Sequence, residues 1–289
     1  MSTIAATPPR SETRTARRER IRLLLRSPSF LIGGTVILFW VVCAILGSRI
    51  TPFDPIFDQS SAVSQAPSSE HLFGTDRLGR DVFSRVLAGS RDILVVAPLA
   101  TLLATILGTA LGLITGYLRG IVDDTVSRIT DSILAIPVIA LAVTVVAALG
   151  SRSTWAVAVI IAIVFTPIIT RTVRAAVLGE AQLEYVESAR LRGEQAHYVM
   201  FAEILPNVAP PILVEATIRL GYAIFAVATL TFIGFGLQPP SPDWAVQIAD
   251  NYQFVDQQWW TVLFPALAIA SLVVSVNLVS DTVQQALER

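Results

Sequence analysis

The chain contains no lysine: all 21 of its basic residues are arginine. That absence excludes a phosphate-binding loop of the GxxxxGK[ST] type, so any ATP the protein depends on is bound by another chain. Cysteine is nearly absent as well. Cys43 alone allows neither an internal disulfide nor a thiolate metal cluster, and it reads as a small apolar filler. The two histidines, His71 and His197, stand far apart without an HExxH or carboxylate–histidine repeat, so each reads as a surface polar residue and no metal site is expected. Charge is also scarce. With 15% charged and 53% hydrophobic residues and a mean hydropathy of +0.64, the 289 residues do not describe an ordinary soluble domain. The net charge of −1 argues neither for nor against nucleic acid. No nucleic acid is expected among the partners; the first partner is the lipid bilayer.

Period-two alternation is absent, and an open sheet in lipid would leave its edge unpaired, so the apolar runs must be helices. A hydrocarbon core of ~30 Å needs about twenty such residues. Six stretches qualify: 30–49, 93–118, 129–150, 155–178, 207–235 and 261–280. The expected fold is therefore an all-α membrane protein with six transmembrane helices. It divides into an arginine-rich tail (1–29), a first span (30–50), a long loop (51–92) and a core of five spans (93–289). The run 31–46 is longer than a usual signal-peptide core and lacks a small-residue cleavage site, so it reads as a retained span. Trp40, Val41 and Val42 before Cys43 do not suit a lipoprotein anchor.

Orientation follows from arginine. Arg10, Arg14, Arg17, Arg18, Arg20, Arg22 and Arg26 precede the first span, and the loop after the fourth holds Arg190 and Arg192, with Arg171 and Arg174 just before it; such clusters stay in the cytoplasm. Both termini are then cytoplasmic. The loop between the fifth and sixth spans carries Asp243, Asp250 and Asp256 with no basic residue, as an exterior loop should. Arg77, Arg80, Arg85 and Arg91 dissent, but they are interspersed with Asp76, Asp81 and Asp92. The exterior segment splits into a Ser/Pro-rich half (51–69) and a structured half. From Asp81 onward, Val82, Phe83, Val86 and Leu87 form one helical face with Arg80, Ser84 and Arg85 off it, which predicts an interfacial helix along the membrane.

Within the spans, Gly108, Gly112 and Gly116 share a face, the pattern that lets helix backbones approach closely in lipid. Pro137 and Pro167 are placed to kink the third and fourth spans. Glu215 and Arg219 lie one turn apart in the fifth, roughly 13 and 20 Å along the helix from Pro206, where unpaired charge is expensive. They read as a self-neutralising pair facing protein or water, or as part of a translocation path or permease interface.

The most informative segment is EYVESARLRGEQAHYVMFAEILPN, beginning at Glu184. Leu183, Val186 and Ala189 recur at helical spacing among charged residues, Gly193 breaks that helix, and Tyr198, Val199, Phe201, Ala202 and Leu205 supply the apolar face of a second one. Pro206, lacking an amide donor, is expected to end or redirect it. Polar helices between two spans read either as an ordinary surface loop or as a handle for another protein.

Glu187, Ser188, Ala189, Gly193, Leu205 and Pro206 resemble the EAA loop of bacterial ABC import permeases, here taken as 179–206, with serine for the middle alanine and Glu203 where isoleucine is usual. HLFGTDRLGRDVFSRVLAGSR from His71, ILPNVAPPILVEAT from Ile204, FIGFGLQPPSPDW from Phe232 and FPALAIASLVVSVNLVSDTVQQALE from Phe264 resemble the second permease subunit of dipeptide and oligopeptide importers. The resemblance implies a type I importer permease fold in the bacterial inner membrane. Its implied partners are a second homologous permease, two cytoplasmic ATPase subunits or domains, and an extracytoplasmic substrate-binding protein. This chain would bind no cofactor, ATP and magnesium being held by the ATPases. Glu187, Ser188, Ala189, Gly193, Glu194, His197, Tyr198, Phe201, Leu205 and Pro206 would form the ATPase-coupling surface. Asp76, Arg80, Asp81, Asp243 and Trp244 would form the outer gate or contact the binding protein. Permeases of this type also serve nickel, haem and other solutes. A secondary transporter or channel should show ionisable residues at mid-depth in several spans or a repeated half, and an intramembrane enzyme a converging nucleophile and base; neither pattern is evident.

Overall fold

The computed structural model describes residues 26–57, 62–150 and 153–288. Of the tail arginines only Arg26 falls within them; Arg10 through Arg22 lie outside the described residues. Five described helices are long and apolar enough to cross a membrane, and a bent pair makes a sixth when counted as one span.

Helix α1 (Pro28–Leu46) starts with proline in its first turn, where the missing amide costs nothing, and ends at Gly47 with a positive φ of 54°. Its buried stripe is Gly33, Trp40 and Cys43. At Gly33 a Cβ would come within 2.7 Å of the Ser275 carbonyl, and Trp40 Nε1 donates to Ser271 Oγ at 2.9 Å, so α1 is seated on the last helix.

Helix α2 (Val82–Leu118) is one unbroken 37-residue rod, about 55 Å at 1.5 Å per residue and much longer than the ~30 Å hydrocarbon core. The separate interfacial helix expected after Asp81 is therefore corrected: residues 82–92 are the projecting end of the second span. The off-face residues are also buried, Arg80 at 6%, Ser84 at 0% and Arg85 at 1% exposure, because loops fold over them and supply acceptors. Arg85 donates to the carbonyls of Pro55 (2.8 Å) and Ser241 (3.2 Å).

The expected third span is broken. Helix α3 (Gly120–Leu134) and helix α4 (Val138–Leu149) meet at 96° across Ala135–Pro137. Pro137 offers no amide, and the residue before a proline disfavours helical geometry, so the chain turns there. Helix α5 (Thr154–Glu180), capped by Ser153 Oγ on Ala156 N at 3.2 Å, runs through Pro167 as one helix. It lies along α2 on the glycine face. A Cβ on Gly108 would meet Ile169 Cβ at 2.7 Å, on Gly112 Val173 Cβ at 2.6 Å, and on Gly116 Val177 Cβ at 2.7 Å. Three successive glycines thus seat three successive branched side chains, the small-residue packing expected in lipid.

Helix α6 (Glu184–Leu191) is short. Helix α7 (Ala196–Phe232) then runs continuously from the loop into the membrane, with a π-helical segment at Val199–Ile204. Pro206 does not end the second loop helix. It occupies the first turn of the α-helical part, and the wider π register just before it accommodates the missing amide. Helix α8 (Trp244–Asn251) and helix α9 (Trp260–Glu288) complete the chain.

At the end of the bundle away from α6, the segments 51–57, 62–81 and 233–259 form a cap. Trp244 Nε1 donates to Val86 O at 2.7 Å and Trp260 Nε1 to Thr75 O at 3.0 Å. Phe73 stacks on Phe264 at 3.8 Å, and the Arg77 guanidinium sits 3.8 Å from the Phe254 ring centroid.

Candidate functional site

Helix α6 ends in a reciprocal pair of backbone bonds. Glu194 N donates to Ala189 O at 3.2 Å and Gly193 N to Arg190 O at 2.9 Å, the six-to-one and five-to-two bonds of a Schellman motif. That closure needs a left-handed residue, and Gly193 supplies it at φ +78°. The break read from sequence is thus a defined corner. Val186 and Ala189 face inward at 0% exposure, as do Val199 and Ile204 in the π segment, so both arms of the corner are seated on the bundle.

The outer surface of the corner carries Glu187, Ser188, Glu194, His197, Tyr198 and Phe201, all exposed, and Pro206 is exposed beyond them. Leu205 is half-buried, and Ala189 is a packing residue rather than a surface contact. Sequence reasoning missed Leu191, the most exposed apolar side chain of the corner at 84%; it was passed over because it interrupts a charged helix. Arg192 lies 3.8 Å from Glu194 and 3.6 Å from Glu203, bridging the arms; Glu203, the departure from the family pattern, thereby gains a partner.

Two further contacts brace the corner, neither anticipated. The Tyr185 hydroxyl donates to Glu180 Oε2 at 2.6 Å and accepts from Asn207 Nδ2 at 3.0 Å, joining α5, α6 and α7. Burial and then the bond to Glu180 push the Tyr185 phenol up to about 12, so it remains a donor at any physiological pH. The Arg190 guanidinium lies 4.6 Å over the Tyr117 ring, beside a cavity of about 460 Å³ that Glu187 and Leu191 also line. At the same end, Arg174 makes a two-pronged bond to Asp123 (2.5 and 2.7 Å), pinning α3 to α5. An aspartate doublet at the start of an amphipathic helix was the available signal for that brace.

Glu215 and Arg219 do pair. Arg219 Nε donates to Glu215 Oε1 at 2.6 Å, with side-chain exposures of 18% and 12%, and the guanidinium reaches 5.0 Å from the Tyr222 ring.

The five residues expected at the opposite end are brought together, but as buried scaffold. Asp76, Arg80, Asp81, Asp243 and Trp244 are exposed by 6% or less, which does not suit direct contact with an outside protein and does not bear on the other expected role, in an outer gate. Asp76 holds Arg80 (2.6 Å) and its loop amides. Asp81 caps α2 through Ser84 N (2.7 Å), and Asp243 caps α8 through Ala245 N and Val246 N. His71 is corrected. It is 2% exposed, bonded to Asp81 at 2.9 Å and packed on Phe53, because the capping carboxylate needs a second partner inside the loop. His197 is exposed as expected. Burial pushes the Asp243 carboxyl up to about 7, with Asp92 adding to the rise, while its capping amides and Arg85 pull it down; its Oδ2 has no hydrogen-bond partner.

Residues 108–289, more than half of the chain, match the family described as binding-protein-dependent transport system inner membrane component. The chain belongs to this family. It is a non-catalytic membrane subunit, ATP hydrolysis residing in separate partner proteins. Over 271 residues it is 38% identical to a dipeptide transport system permease protein of Alkalihalophilus pseudofirmus, covering 94% of this chain and 89% of the relative. It is 39% identical over 269 residues to the dipeptide transport system permease protein of Escherichia coli K12 (91% and 89% covered). A di/tripeptide transport system permease protein of Pseudomonas aeruginosa shares 35% over 264 residues, with 89% and 87% covered.

Proposed function

We propose that this subunit imports peptides, receiving them from an extracytoplasmic binding protein and passing them along an interface with a second, similar permease. The α6–α7 corner would be the handle that two cytoplasmic ATPase subunits grip. The observation that carries this reading is the continuity of α7: whatever holds Tyr198 and Phe201 holds the end of a rod that enters the membrane. Peptide as cargo is supported by the names of the relatives, whose likeness extends over nearly the whole chain. Glu187, Leu191, Glu194, His197, Tyr198 and Phe201 would make the contact, with Gly193, Ala189, Leu205 and Pro206 holding its shape. Glu215 and Arg219 would line the path or the permease interface.

This reading puts the corner and both termini in the cytoplasm of a bacterial cell and the cap outside. Arg171, Arg174, Arg190 and Arg192 gather at the corner's end of the bundle, in keeping with that orientation. Two of the dissenting arginines at the cap no longer count against it: Arg80 is paired with Asp76, and Arg85 is spent on buried carbonyls. Contact with the binding protein would fall to the cap's exposed residues, such as Phe57, Leu72, Arg77 and Leu78.

The test is uptake of labelled di- and oligopeptides by vesicles holding the complete complex, competed by haem and nickel, with the ATPase subunits quantified in the same preparation. Peptide competition with co-purifying ATPases is expected. Competition by nickel or haem alone would overturn the cargo, and a preparation free of ATPases would overturn the handle.

A further inference from the structure

A crevice of about 610 Å³ lies between α1, α2, α7 and α9. On α1 it extends from Ile45 to Ile37 and on α9 from Leu272 to Ser280, eight helical steps in each case, or about 12 Å of depth. That is close to one leaflet, half of the ~30 Å hydrocarbon core. Its walls are aliphatic except for the hydroxyls of Thr217 and Ser280, and Thr217 donates its own to Val214 O at 2.8 Å. Ile45 and Val95 at its edge are 76% and 45% exposed, so the crevice opens sideways toward lipid.

At the end nearest the cap stands Arg91, exposed and, among the described residues, without a hydrogen bond, ion pair or ring contact. Its neighbour Asp92 does not neutralise it at contact range: Asp92 Oδ2 accepts from Ser241 Oγ at 2.5 Å on the cap side. A free guanidinium over a leaflet-deep apolar slot is complementary to a phosphate carrying acyl chains, since the planar fork matches phosphate oxygens in two-pronged geometry. The slot opens along its side over about the depth of one leaflet, so hydrocarbon chains can enter it directly from the bilayer.

The geometry points to a binding site for one anionic glycerophospholipid, its acyl chains in the crevice and its phosphate on Arg91. The lipid would splint α1 to the core along the side that the Gly33–Trp40–Cys43 stripe leaves unfilled. This inference does not depend on the cargo or on the coupling handle.

The experiment is native mass spectrometry of the complete, delipidated transporter complex titrated with dioleoyl phosphatidylglycerol and, separately, dioleoyl phosphatidylcholine. Phosphatidylglycerol should bind this subunit more tightly than phosphatidylcholine. Arg91→Gln should weaken phosphatidylglycerol by about fivefold and leave phosphatidylcholine unchanged, as expected for one charge at a membrane surface, while Arg91→Lys retains most of the preference. Ala44→Trp, which fills the slot, should reduce both lipids. Arg91 is exposed and unpaired, so its replacement does not threaten folding. Equal binding of the two lipids by the wild-type complex, or no response to Arg91→Gln, overturns the site. So does a photo-crosslinker at Val95 that captures the second permease instead of lipid, which would make the crevice a subunit interface.

Discussion

Replacing Gly193 separates the backbone of the α6–α7 corner from its chemistry, because the glycine offers no side chain to any partner. A Cβ there meets open space, so the cost of substitution comes from φ +78° alone. For an ordinary L-residue that conformation costs about 1–2 kcal/mol, which lowers the population of the closed corner by a factor of about 5–30. Asparagine tolerates the left-handed region and should lose less. Proline cannot reach it, and it also removes the amide that donates to Arg190 O, adding ~0.5–1.5 kcal/mol for the lost bond. The expected order of coupling is Gly, then Asn, then Ala, then Pro.

The assay is ATPase activity of the reconstituted complex with and without loaded binding protein, beside uptake of a labelled dipeptide, each normalised to assembled complex. Gly193→Pro should abolish uptake and the stimulation of ATPase activity while the subunit still inserts. Gly193→Asn should retain most of both. Full stimulation and uptake in the proline variant would refute the handle, since no Schellman closure survives that substitution.

Gly112→Leu drives a branched side chain into Val173, which already stands 2.6 Å from the glycine's Cβ position; overpacking of about 1–3 kcal/mol should lower the melting midpoint of the purified complex. Gly34→Leu, with nothing within 4 Å, is the matched control and should not. Asp243 carries a native pKa raised to about 7 from an unfolded value near 3.8, so the native state holds the extra proton between them. Its contribution to stability is present in full below the lower value and is lost as pH rises through about 7. The wild type should therefore melt lower at pH 8 than at pH 5.5. Asp243→Asn, which still caps α8, should flatten that difference, and an unchanged slope would remove the carboxyl from the explanation. Arg219→Ala leaves Glu215 without its partner and should cost about 1–3 kcal/mol, more than replacing both residues together. The double alanine variant should assemble yet transport poorly; unchanged peptide uptake in it would restrict the pair to a structural role.

Periodicity and punctuation made several features legible, because each depends on residues close together in the chain. The glycine face of α2, the corner at Gly193 and the Glu215–Arg219 pair were all readable from spacings of three to nine residues. What failed was long-range. Whether Arg80, Arg85 and His71 are surface or interior depends on loops from 51–57 and 233–251 folding over them, and a buried arginine held by two distant carbonyls looks in sequence like an exposed one. At the third span Pro137 marked the place of a kink, but hydropathy averaged across residues 129–150 gives neither its size, 96°, nor the ion pair that holds α3 to α5.

These two outcomes also constrain how motion could pass through the bundle. α2 and α5 are seated on each other at three glycines, with no space to slide without lifting branched side chains out of place, so they must move as one body. α7 has no such ladder. Its contact with α9 includes Gly221, where a Cβ would stand 2.6 Å from Asn277 Oδ1, a single close approach that a rotation can preserve. Between the α6–α7 corner and the membrane, α7 carries the π segment Val199–Ile204, where the hydrogen-bond register changes. A pull on Tyr198 and Phe201 is therefore resisted least at that segment and at the Ala135–Pro137 turn, and most along α2–α5. Inserting one alanine between the π segment and the span, with α register kept on the span side, would rotate the handle by about 100° relative to the span. That rotation would carry Phe201 away from any partner surface while leaving the bundle intact, which is how a lever differs from a mere anchor.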